Sequence, residues 1–274
     1  MTEIQTLAAG LRSGQIIPYL GPEVLALDPD ADIPANPQSL VNRITAKVTV
    51  PHKIRNNLTA ACQYVENFKH RKTLISQLEA AFAVAPRPTV LHDFLAGNFA
   101  PPLIVDTWYD ATMAEALVRN SRDFGQVQGV SRAEHLGDWV HYFDATGQKV
   151  AAEAATQWQT LLYKPLGSIA PASNFIISDS DYVEVLTEID IQTPIPEQVK
   201  TLRTGRSFLF MGCRFRNQLE RNYARQIMKR STDQHVAVLS GDITRNEARF
   251  LNEQGIERID MSLEAFVTAL MSVT

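Results

Sequence analysis

Short apolar runs that end in glycine or aspartate and lead at once into helical spacing recur along this chain. They constrain its fold more than any other feature. Leu103-Ile104-Val105-Asp106-Thr107 is the plainest case, with Met113, Ala116 and Leu117 following at helical intervals. A run without polar alternation suits a strand buried on both faces, and such strands belong to parallel sheets with crossover helices. Arg206 to Gly212 and Val236 to Leu239 repeat the pattern and Ile256 to Asp260 reads as a last strand, with helical segments after them over about 216–230, 244–254 and 262–272. The alternation predicts an α/β fold, a doubly wound, Rossmann-like, mostly parallel sheet with helices on both faces.

The N-terminal part fits the same scheme. Residues 2–13 carry Ile4, Leu7, Ala8 and Leu11 on one helical side, and Gln15 to Gly21 reads as a short strand. Pro18 argues against a central position for that strand and is acceptable at an edge or an end. Residues 28–37, with Pro29, Pro34 and Pro37, form a loop. Helical spacing then dominates to about 84, and a further short helix covers 89–97. Residues 38–100 are therefore expected as a helical insert within one domain spanning 1–274. The stretch 120–158 is less regular. Two short strands follow near 160–164 and 174–178, and Ser178 with Asp181 has capping-box spacing before a helix.

Composition narrows the function classes. A net charge of −4 gives no basic surface for nucleic acid or an anionic membrane. The two cysteines, Cys62 and Cys213, lie far apart and form no zinc-binding pair, so both are expected as buried small residues. No basic segment followed by an apolar run opens the chain, and no stretch of membrane-spanning length occurs, so the cytoplasm is the expected location.

In doubly wound sheets ligands bind beyond the carboxyl ends of the strands. The segments expected there are Gly21-Pro22-Glu23, Asp106 to Asp110, Gly167-Ser168 and Gly212-Cys213. Taken in order, the glycine turn, the helical insert, Val-Asp-Thr-Trp-Tyr-Asp, Tyr-Lys-Pro-Leu-Gly-Ser-Ile and Phe-Leu-Phe-Met-Gly-Cys resemble the bacterial sirtuin-like proteins from about Leu11 to Leu270. The family has a Gly-Ala-Gly turn, a Thr-Thr-Asn-Tyr-Asp segment, a Lys-Leu-His-Gly-Ser segment and a Leu-Phe-Ile-Gly segment. The resemblance implies a Rossmann-like NAD domain, with lysine deacylation or NAD hydrolysis as the family's chemistry.

Position by position, the resemblance also implies departures. The family's Asn falls on Trp108, an indole with one donor and no acceptor. The family's His, its general base, falls on Leu166, which moves no proton. The second glycine of the turn falls on Glu23, whose carboxylate repels phosphate, and the following small residue is Leu25. Gly21, Thr107, Tyr109, Asp110, Lys164, Gly167, Ser168 and Gly212 stay in register. A kept fold with lost NAD cleavage is the expectation.

Plainer readings stand beside these. Gly21 could be only a tight turn. Asp106 and Asp110 could be an acid/base pair, but Asp110 is better placed to cap the next helix. Trp108 could stack on a base or pack under the insert. His92 reads as a helix residue near a capping Asp, while His135 and His141 are candidates for a relocated base. Cys213 could be activated at a helix N-terminus, and a buried structural thiol is the plainer reading. Arg214, Arg221 and Arg225 could share a helix face that holds phosphate, against a solvated face. The expected role is regulatory binding of a modified nucleotide (NAD or an ADP-ribose-type ligand) or of a protein partner, with no metal. The alternatives are a hydrolase or deacylase with relocated groups, and a ligand-free subunit. Self-association is left open.

Overall fold

The parallel sheet expected from the apolar runs is present. The computed structural model describes residues 3–85, 87–131, 133–134, 137–188 and 195–273. Helix α1 (Glu3–Arg12) leads into β1 (Ile16–Leu20). Helices α2 (Pro37–Lys47), α3 (Leu58–Lys69), α4 (Arg71–Ala81) and α5 (Val90–Asn98) precede β2 (Leu103–Asp106) and α6 (Thr112–Arg119). Strands β3 (Phe124–Gly129), β4 (Val140–Asp144), β5 (Lys149–Val150) and β6 (Thr160–Lys164) follow, then the hairpin β7 (Gly167–Ser168) and β8 (Asn174–Phe175). Helices α7 (Asp179–Glu188) and α8 (Glu197–Arg203) lead to β9 (Ser207–Met211) and α9 (Gln218–Met228). The chain closes with β10 (His235–Val238), α10 (Arg245–Glu253), β11 (Ile256–Ile259) and α11 (Leu263–Ser272).

The main sheet has nine strands in the order β11-β10-β9-β1-β2-β6-β3-β4-β5. Pairings from β11 through β3 are parallel, and β4 and β5 extend the β3 edge antiparallel. Alternate residues of each buried strand feed opposite layers. Ile17, Tyr19, Val105, Tyr163, Phe208 and Phe210 pack with α8, α9 and α10 on one face. Leu20, Ile104, Leu162, Leu209 and Met211 pack with α1, α5, α6 and α11 on the other.

Three expectations change. β1 is central, between β9 and β2, not at an edge. Pro18 is tolerated there because Leu20 and Pro18 point their peptide groups toward β2, and that pairing starts only at Tyr19. The irregular stretch 120–158 contains β3, β4 and β5. The segment near 174–178 forms only β8, which pairs with β7 outside the main sheet. Helix α5 packs under the sheet beside α6, whereas α2, α3 and α4 build a separate core over the strand ends. Among the described residues, no helix is long and apolar enough to cross a membrane.

Arg71 of α4 ties that upper core to the rest. Its guanidinium pairs with Asp181 at 2.8 Å and Glu66 at 3.0 Å and donates to the Phe175 carbonyl. Asp181 completes the expected capping box, accepting from the N–H groups of Ile177 and Ser178 at 3.0 Å. Burial alone would raise the Asp181 pKa, but the Arg71 charge and these N–H donors hold it below the usual range. The stability it contributes is therefore present above its unfolded value, about pH 4, and is lost as pH falls through the lower folded value. Asp181→Asn is expected to cost about 1–3 kcal/mol at neutral pH. Urea midpoints of variant and parent should converge in acid, which checks the sign.

Candidate functional site

β1 is the switch point of this sheet, since the chain leaves it toward β2 on one side and returns as β9 on the other. A cavity of about 500 Å³ opens there, beyond the ends of β1, β2 and β9 and beneath the helical insert. Pro22, Glu23, Thr107, Trp108, Tyr109, Leu166, Gly212 and Cys213 line it, so segments far apart in sequence meet at one place. Gly21, Asp110, Gly167 and Ser168 lie behind this wall. The Ser168 hydroxyl donates to the carbonyls of Tyr109 and Asp110, and the Asp110 carboxylate accepts the Thr112 N–H at 2.8 Å, starting α6. The Asp110 carboxylate thus serves the helix start.

The sequence did not point to the other walls. Tyr19, Asn56 to Thr59, Asp179, Tyr182, Glu220 and Tyr223 also face the cavity. Tyr182 and Tyr223 meet edge to face with ring centroids 5.8 Å apart. Trp108 is both wall and packing group. Its Nε1 donates to the Pro34 carbonyl at 2.7 Å, and its ring meets Phe82 of the insert. Leu25 turns away into the insert core, so the cavity stays open.

The glycine turn has little left for an anion. Gly21 donates its N–H to Met211 at 2.9 Å, Pro22 has none, and Glu23 donates to Gly212 at 3.0 Å. Val24 donates back to Gly21. The neighbouring helix starts carry side-chain caps. Asn217 and Glu220 form a reciprocal cap on α9, as Ser178 and Asp181 do on α7. Burial raises Glu23 above the usual carboxylate range and lifts Glu220 to about 7.

Arg214, Arg221 and Arg225 do not gather into a phosphate site. Arg214 precedes α9 and spends its guanidinium on Glu247 and on the carbonyls of Ser240 and Asp242. Arg221 donates to the carbonyls of Phe215 and Arg216, and Arg225 lies over the Phe250 ring. Cys62 and Cys213 are both buried, as expected. Burial pushes the Cys213 thiol far up, and it sits 3.6 Å from the carbonyls of Tyr19 and Met211, so the activated-thiol reading is withdrawn. His92 caps α5 with Thr89, and burial lowers it to about 4. His141 pairs with Asp138 at 3.2 Å on β4 and is not among the residues that line the cavity. His135 lies outside the described residues.

The SIR2-like domain family model matches residues 102–259, more than half of the chain. The chain belongs to the SIR2-like domain family. The match runs from β2 to β11 and so contains the segments at Thr107, Leu166 and Gly212, while the Gly21 turn and the insert lie before it. No curated protein matches the chain. Membership links this SIR2-like domain to sirtuin-type, NAD-related function.

The residues of this SIR2-like domain do not fit NAD. A pyrophosphate needs free N–H donors or cations at the turn and helix starts. Here the N–H groups of Gly21 and Glu23 at the turn are bonded within the chain, Pro22 has none, the lining guanidinium of Arg214 is paired, and Glu23, Asp179 and Glu220 present carboxylates instead.

Proposed function

We propose that this SIR2-like domain has lost NAD cleavage and works as a regulatory module that binds a ligand or partner at the strand-end cavity. One observation carries the reading. Leu166 and Trp108 line the cavity, and the resemblance puts them where the family carries its imidazole and its amide. Neither accepts a proton or orients a water by hydrogen-bond acceptance.

Purified protein incubated with NAD is expected to release no nicotinamide above the buffer rate. ADP-ribose at millimolar concentration is expected to leave the melting temperature unchanged, since a ligand that binds only the folded form must raise it. Robust nicotinamide release would overturn the reading. Its loss in His141→Ala would then assign the base to β4.

A further inference from the structure

We infer that the strand-end cavity is a binding site for a small organic cation, a protonated amine carried on an apolar body. The inference rests on the reading that the cavity binds rather than cleaves, and it names the chemistry of what is bound.

The charge balance of the wall comes first. Glu23, Asp179 and Glu220 line the cavity, and the one guanidinium that lines it among the described residues, that of Arg214, is bound to Glu247 at 3.3 Å. The Glu23 carboxylate makes no hydrogen bond or ion pair among the described residues, although the charges of Arg214 and Arg216 act on it. Glu220 uses an oxygen on the Asn217 N–H. Both residues line the cavity together with Cys213 and Gly212.

The second observation is independent of the acids. Tyr19 is 4% exposed and lines the cavity, yet its hydroxyl has no hydrogen-bond partner among the described residues. Its ring is fixed against Phe208 and Phe210. Its oxygen is therefore free to meet a polar group of a molecule in the cavity. Ionised carboxylates only accept, so the available groups call for a donor-rich, positive ligand, and an ammonium offers three donors and no acceptor. Trp108, Tyr182 and Tyr223 supply the aromatic surface that attracts such a cation and buries its apolar part. The volume lies within the range of small-molecule sites.

Three probes of nearly equal shape test this, namely benzylamine, benzyl alcohol and benzoate, titrated calorimetrically at pH 8 into the full chain. Benzylamine is expected to bind with one site, and benzyl alcohol and benzoate at least about tenfold more weakly. Glu23→Gln and Glu220→Gln are each expected to weaken benzylamine by about tenfold or more. Glutamine keeps the α9 capping box, so Glu220→Gln should stay folded, and a melting curve of each variant confirms it. Equal affinity for benzylamine and benzyl alcohol, preference for benzoate, unchanged affinity in both folded variants, or no benzylamine binding at millimolar concentration would each overturn the inference. The titration contains no NAD, so its failure leaves the loss of NAD cleavage standing.

Discussion

Lys164→Met is expected to lower stability by about 3–5 kcal/mol at pH 8, read from urea midpoints. Lys164 at the end of β6 is 1% exposed, and its Nζ donates to Asp106 Oδ2 at 2.7 Å. Asp106 also accepts the Trp108 N–H, fixing the turn that carries Trp108 to the cavity wall. Asp110 lies buried nearby. Burial alone would raise it, but the Lys164 charge and the Thr112 N–H hold it down. Methionine fills similar volume but leaves both carboxylates buried without a counter-charge. Breaking a buried pair from one side costs far more than the pair is worth intact.

The pH dependence of this loss follows from Asp106. Burial outweighs the attraction of Lys164 and raises Asp106 to about 6. A raised folded value means that the stability it brings is full below the unfolded value of about 4 and is lost as pH rises through about 6. In the variant Asp106 should hold its proton more tightly still. The deficit should therefore shrink toward pH 5 and be largest at pH 8. Adding Asp106→Asn to Lys164→Met should recover part of the loss, because one of the two unpaired charges is gone. A deficit that stays constant with pH and is not relieved by Asp106→Asn would make the effect one of packing.

The fold was legible in β1, β2, β6, β9 and β10 because strands buried on both faces are mostly apolar, whereas β11, Ile-Glu-Arg-Ile with Glu257 exposed, was legible from its place after a helix ending at Gly255. β3 was missed for an equally physical reason. Its Phe-Gly-Gln-Val-Gln-Gly sequence reads as irregular, yet it is buried throughout. Gln126 and Gln128 donate side-chain amides to the carbonyls of Ala170, Ser168 and Ala172, serving the hairpin over the sheet. Gly125 leaves room for the Trp158 ring. The front of the cavity could be found because topology puts strand ends together. Tyr182, Tyr223 and the Asn56 to Thr59 segment could not, since only tertiary packing brings α7, α9 and the insert to that edge. Glu220 was visible in principle as the fourth residue of the Asn217 capping box, although that spacing says nothing about the cavity it faces.

Gly21→Ala is expected to cost about 3 kcal/mol or more in the ligand-free protein. The backbone of Gly21 is extended, with φ −107°, so any residue could adopt it. Space is the constraint. An added Cβ would lie 2.3 Å from the Gly212 carbonyl oxygen and 2.7 Å from the Cys213 Cα. These are backbone atoms and cannot rotate away. Accommodating the methyl group requires the ends of β1 and β9 to part, which breaks the Gly21 bond to Met211 and the Glu23 bond to Gly212. Gly212 has no slack to give, because it sits at φ +68° with its own Cβ direction 2.6 Å from the Val24 nitrogen. The glycine at the first strand end is thus demanded by the meeting of two strands. A phosphate cradle would behave in the opposite way, with near-parental melting of the ligand-free variant and loss of ADP-ribose binding. If the melting temperature falls without ligand and ADP-ribose stabilises neither protein, the turn preserves the architecture of a nucleotide site while its donors serve the fold.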